Sequence, residues 1–133
     1  MEKENLVLCD TNIIIEFYKE NITIIDNLKK IGQENIAVSI ITAGELIYGA
    51  LNKIELNQIR KDLFNLKIID IDYKKGNLFI DLMSKYSLSH NLTLPDAFIA
   101  ATAIEENLPL FTLNVKDFQY MKSLNYIKVK YKN

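Results

Sequence analysis

The sequence is poor in the residues that staple or interrupt a chain. Its single cysteine, Cys9, excludes an intramolecular disulfide framework. Two prolines and four glycines leave no linker composition, and no internal repeat or low-complexity tract divides the chain. No apolar run approaches the roughly 18 residues that a membrane span requires. Neither sign of charge is in excess: 16 Lys+Arg stand against 17 Asp+Glu, a net charge of -1. That balance excludes the strongly basic signature of a protein that coats nucleic acid, while leaving room for an enzyme that grips a few nucleotides. What is present, 49% hydrophobic and 25% charged residues, is the composition of an ordinary soluble globular domain. A chain of 133 residues buries enough surface to form a core without a metal or disulfide staple, so one domain over residues 1–133 is expected. The start Met1-Glu2-Lys3-Glu4-Asn5 lacks the basic and apolar regions of a signal peptide, and a cytoplasmic location is expected.

Short apolar runs at 5–9, 35–38, 68–71, 109–112 and 126–129 read as strands. The first, second and fourth are continuous rather than alternating, the pattern of strands covered on both faces. Between them Ile24/Leu28/Ile31, Leu56/Ile59/Leu63/Leu66 and Phe79/Leu82/Met83/Tyr86 recur at three- and four-residue spacings, so each segment presents one apolar stripe as a helix. Strand and helix alternate, which predicts the α/β class: helices on both faces of a mainly parallel sheet of about five strands, with a ligand site at the strands' carboxyl ends.

Four acids fall at those ends. Asp10 directly follows the first strand, where an Asp is also a good helix N-cap. Glu45 shares a helical face with Ile41 and Tyr48, an awkward place for a charge; a capping box with Thr42 at the N-cap and Glu45 at N3 is the alternative. Asp96 follows Pro95 in a first helical turn and lies on the same face as Ile99, Ala100 and Ala103, so its carboxylate needs either a hydrogen-bonded cap or a bound cation. Asp117 comes three residues after Asn114, again a passable helix start. Each acid alone has a local explanation. A parallel sheet, however, brings all four to one rim, where unpaired carboxylates repel, and a hard divalent cation such as Mg2+ or Mn2+ relieves that repulsion better than Zn2+.

The segments Leu8-Cys9-Asp10-Thr11-Asn12, Thr42-Ala43-Gly44-Glu45-Leu46 with Tyr48-Gly49, Asp96 through Ala103, and Thr112-Leu113-Asn114 with Asp117-Phe118 together resemble the PIN-domain nucleases, and among them the VapC-type toxins. The resemblance implies a three-layer α/β/α sandwich and an acidic quartet of Asp10, Glu45, Asp96 and Asp117 that binds metal and carries catalysis. It also implies Asn12 and Thr112 as polar residues holding a carboxylate or a water, and places Asn114 where some relatives carry a further acid. The activity implied is endonucleolytic hydrolysis of RNA by a water activated by Mg2+, with Mn2+ as substitute, leaving 5′-phosphate and 3′-hydroxyl ends. Implied partners are an RNA substrate, a VapB-type antitoxin and a second copy in a homodimer, with the helices near 22–31 and 55–66 as contact surfaces and no membrane. A catalytically silent interaction module of the same fold is one alternative; another Mg2+-dependent phosphohydrolase is the other.

Outside the quartet, His90 is expected in a loop or on the surface, Cys9 as a small buried hydrophobe, Tyr48 in the core, and Lys74, Lys75 and Lys116 as solvated surface residues.

Overall fold

The computed structural model describes residues 5–131. Met1–Glu4, on which the signal-peptide reading rests, lie outside the described residues. Five strands, β1 (Val7–Cys9), β2 (Ile36–Ser39), β3 (Lys67–Ile69), β4 (Leu110–Phe111) and β5 (Tyr126–Ile127), form one parallel sheet in the order β3-β2-β1-β4-β5. Six helices accompany them: α1 (Thr11–Tyr18), α2 (Ile22–Ile31), α3 (Ile40–Tyr48), α4 (Lys53–Phe64), α5 (Tyr73–His90) and α6 (Leu94–Glu106).

The continuous strand pattern has the expected cause, because the sheet is covered on both faces. Along β1 and its approach, Leu6 and Leu8 enter a core with α5 and α6, whereas Val7 and Cys9 enter a second core with α1 to α4. In β2, Ala37 faces the first core and Val38 the second; in β4, Leu110 and Phe111 divide in the same way. The result is the three-layer α/β/α sandwich. Helix α6 is buried along Ala97, Ile99, Ala100, Ala101 and Ala103. Small side chains let its backbone lie close to the sheet, and Phe98 stacks on Phe79 of α5 with ring centroids 3.8 Å apart.

Strand order positions the site. From β1 the chain builds outward through β2 to β3, while β4 and β5 add on the other side of β1. The order therefore reverses between β1 and β4, and in such a sheet the crevice beyond the carboxyl ends at that point is where ligands bind. Asp10 follows β1 and Thr112 follows β4, and the two chains are tied there by a hydrogen bond from the Asp10 N–H to the Phe111 carbonyl at 2.9 Å.

Two expectations about burial are corrected. Tyr48, expected in the core, is 92% exposed, because the buried face of α3 runs through Thr42, Ala43 and Leu46 and helical geometry turns a side chain two residues past Leu46 away from it. Lys75 is 2% exposed; its ammonium sits 2.8 Å from Glu106 and 3.3 Å from Asp72, joining the start of α5 to the end of α6. Burial is the largest single influence and pushes the Lys75 pKa down, but the hydrogen bonds to Glu106 and Asp72 and the charges of those carboxylates together outweigh it and hold the pKa above the ordinary lysine value. Lys74 and Lys116 are exposed as expected. Among the described residues no helix is long and apolar enough to cross a membrane.

Candidate active site

Asp10 is 5% exposed and both its oxygens are occupied: the Thr11 N–H donates to Oδ1 at 2.8 Å and the Thr112 hydroxyl to Oδ2 at 2.7 Å. The cap reading of Asp10 is therefore correct as far as it goes, since it is the N-cap of α1. A cap, however, is satisfied at the surface, and this carboxylate is buried. Desolvation raises its pKa, the two hydrogen bonds lower it in part, and the charges of Glu45 and Asp117 raise it further. The Thr112 hydroxyl, itself buried, accepts the Asn114 N–H at 3.0 Å, so its one proton is committed to Asp10.

The capping box at Thr42 and Glu45 is absent. Ser39, the buried last residue of β2, caps α3 instead, with its Oγ accepting the Ile41 N–H at 3.2 Å. This puts Glu45 beyond the first turn, with its carboxylate free to act elsewhere. Its Oε1 accepts the Thr11 hydroxyl at 2.7 Å, and the Thr11 and Thr42 hydroxyls are 2.9 Å apart. A hydroxyl has one proton to give; with that of Thr11 directed at Glu45, Thr42 must be the donor to Thr11. Thr11 thus serves two acids, through its N–H to Asp10 and its hydroxyl to Glu45. The sequence reading missed this role, because the contacts span 31 and 34 positions of chain.

Asp96 lies in the first turn of α6, which is capped by Thr93 and carries Pro95 early, as expected. Its carboxyl is pushed up to about 6, first by desolvation and then by the charges of Asp10, Asp117 and Glu45. Asp117 ends a short 3-10 turn, Val115–Asp117, and is exposed. Asn114 precedes that turn without a side-chain capping bond. Asn12 reaches the chain leaving β4 rather than a carboxylate, its Oδ1 lying 3.5 Å from the Leu113 N–H.

The four predicted acids therefore share one electrostatic neighbourhood at the switch point between β1 and β4. Among the described residues none of them makes an ion pair. Nor do three acidic, histidine or cysteine side chains converge into a closed cage for a metal ion among those residues. The donor set nonetheless fits Mg2+ or Mn2+: such ions keep several waters and take only one or two carboxylates together with substrate phosphate, and here uncompensated oxygens are held partly by hydroxyl donors. Cys9, fully buried beside Asp10, has its thiol pushed up to about 12 by burial and by that carboxylate, so it is inert as a nucleophile. His90 is exposed, as expected, at the end of α5 rather than in a loop.

The PIN domain family model matches residues 7–122, a span that contains all four acids. The chain is 33% identical over 125 residues to Ribonuclease VapC1 of Methanocaldococcus jannaschii, covering 91% of this chain and 85% of that protein. It is 35% identical over 129 residues to Ribonuclease VapC2 of Rickettsia felis, covering 90% and 94%. In a toxin-antitoxin complex from Klebsiella pneumoniae one chain matches this fold with a TM-score of 0.79 at 28% identity, over 95% of this chain and 99% of that one. VapBC2 from Rickettsia felis, bound to a promoter DNA fragment, gives a TM-score of 0.76 at 27% identity, over 94% and 99%. A family match across most of the chain and relatives aligned nearly end to end lead to one conclusion: this chain belongs to the PIN domain family.

Proposed function

We propose that this chain is a divalent-metal-dependent endoribonuclease and the toxin of a toxin-antitoxin pair, with Asp10, Glu45, Asp96 and Asp117 as the residues that hold Mg2+ or Mn2+. The observation that carries the reading is four mutually repelling carboxylates at the sheet's switch point, without a basic partner among the described residues. The names of the relatives, ribonucleases and toxin-antitoxin chains, support the same activity. When bound, the cation supplies charge against phosphate and a water acidic enough to ionise near neutral pH. The chain's own part is orientation. The Thr112 hydroxyl and the Thr11 N–H aim Asp10 and partly offset the desolvation of its charge, and the Thr42-to-Thr11 chain fixes the direction of the Glu45 carboxylate.

Between α1, α2 and α4 runs an apolar groove of about 320 Å³ whose lining includes Ile14, Phe17, Tyr18, Ile25, Leu28 and Leu66. It suits an apolar segment of a VapB-type antitoxin, whose arginine would pair with the carboxylates. Exposed Tyr48, Leu51, Ile54 and Phe64 supply apolar area for a homodimer or for the same antitoxin.

The test is cleavage of labelled RNA by wild type and Asp10→Asn, each with Mg2+, with Mn2+ and with chelator. Cleavage by wild type in either metal alone is expected. Equal cleavage in every lane would overturn the reading.

A further inference from the structure

The sequence reading gave His90 no task, yet the structure builds an environment around it. Its imidazole stacks on Tyr120 with centroids 3.9 Å apart and planes within 15°, and Tyr86 meets both rings edge-on at 5.5 and 4.8 Å. Ser89 Oγ lies 2.8 Å from His90 Nδ1, a hydrogen bond that further restrains the ring plane. Tyr120 is the inner member, with its hydroxyl enclosed and without a hydrogen-bond partner among the described residues. His90 is the outer member and is exposed.

The cluster borders the acidic centre. His90 ends α5 just before α6, which begins at Leu94 and carries Asp96, and Tyr120 follows Asp117 by three residues. After burial, the charges of Asp96 and then Asp117 contribute most to raising the Tyr120 pKa, which places the phenol within their field. Lys85, one turn before Ser89, is exposed and stands 5.6 Å from the Tyr86 ring centroid, which places a cation beside the cluster. A pre-oriented aromatic plane with an exposed ring and a nearby ammonium is the equipment that single-stranded RNA binders use, the ring for a base and the cation for its phosphate.

We propose that His90, backed by Tyr120, is a stacking platform for one base of single-stranded RNA on the Asp96 and Asp117 side of the site, with Lys85 facing the adjoining phosphate. This proposal rests on the ribonuclease reading and names part of the substrate contact. The experiment is initial-rate cleavage of a 5′-labelled single-stranded RNA in Mn2+ by wild type, His90→Ala and His90→Phe, with melts of each protein in Mn2+ and in chelator. His90→Ala should raise KM about tenfold, the scale of one base-aromatic stack, with kcat little changed. His90→Phe should return KM to within about twofold of wild type, because a phenyl ring restores the stacking face. His90→Ala should melt slightly lower, because it gives up the ring contacts, while the shift caused by Mn2+ stays at the wild-type value in every protein. An unchanged KM in His90→Ala, a failure of Phe to restore it, or a loss of the Mn2+ shift in His90→Ala would each overturn the platform. A wild type that cleaves no RNA would overturn the ribonuclease reading itself.

Discussion

Asp96 carries its charge where the fold disfavours it, and removing that charge should stabilise the metal-free protein. The carboxyl is raised from 3.8 to about 6, first by desolvation and then by its acidic neighbours. Between those values the unfolded chain is ionised while the folded one still holds its proton. The penalty on folding therefore begins above pH 3.8, grows through about pH 6 and is constant beyond. At full weight a shift of this size corresponds to about 3 kcal/mol. Because the carboxyl is only partly buried, water screens it, and we take roughly half, about 1.5 kcal/mol. Asn keeps the side-chain shape but gives up a favourable charge at the start of α6, which costs about 0.5 kcal/mol. Asp96→Asn should thus gain about 1 kcal/mol near neutral pH, a rise in melting temperature of roughly 4 °C for a chain of this length. The assay is a series of thermal melts in chelator from pH 4 to pH 8. At the acid end the gain should vanish, since folded Asp96 is then neutral. With Mn2+ at about a hundred times its dissociation constant, wild type should gain about 2.7 kcal/mol and the variant less. A variant that melts at or below wild type throughout this range in chelator would refute the repulsion argument and return Asp96 to the role of a plain helix-start residue.

Further outcomes follow from the hydrogen bonds and the ion pair. Thr112→Val leaves buried Asp10 Oδ2 and the Asn114 N–H without their partner and should cost about 2 kcal/mol, read as a lower denaturation midpoint; an unchanged midpoint would contradict the assignment. Thr11→Val should lower kcat for RNA cleavage with little effect on substrate affinity, and Thr11→Ser should recover it, since only the hydroxyl to Glu45 is at stake. Glu106→Gln leaves Lys75 buried with, among the described residues, only the more exposed Asp72 as carboxylate partner and should destabilise by about 2 kcal/mol, whereas Lys75→Met should cost less than about 1 kcal/mol. The raised Lys75 pKa means that this ion-pair contribution is complete below the unfolded value of about 10.4 and is lost as pH rises through the folded one, which alkaline melts of wild type and Lys75→Met will show. Expression of the wild type should arrest growth, and co-expression of a cognate antitoxin should relieve the arrest; harmless accumulation of folded wild type would count against the toxin role.

Much of the fold could be read from the chain itself because local pattern and tertiary demand agree. The continuous apolar character of residues 5–9 arises from Leu6 and Leu8 facing one helical layer while Val7 and Cys9 face the other. Acids placed just after strands were readable for the same reason: parallel topology converts that position in sequence into one rim in space. The elements that escaped depend on distance in the chain. Thr42 invites a capping-box reading beside Glu45, and only the fold shows that Ser39 closes the helix while Thr42 turns to Thr11. Nothing near Lys75 announces Glu106, which lies a helix away and makes burial of the ammonium affordable. Tyr48 shares a helical face with Ile41, but spacing does not tell which face the fold buries, and in α3 that face runs through Thr42, Ala43 and Leu46.

Hydrolysis of RNA by water at the four acids, as proposed, has its sharpest test in the chemistry of the cut ends. RNA should be cleaved by wild type with Mn2+ in oxygen-18 water and both products analysed by mass spectrometry. One solvent oxygen in the new 5′-phosphate, opposite a 3′-hydroxyl end, and no such product from Asp10→Asn, is the predicted result. A 2′,3′-cyclic phosphate end, or labelled product formed equally by Asp10→Asn, would contradict it.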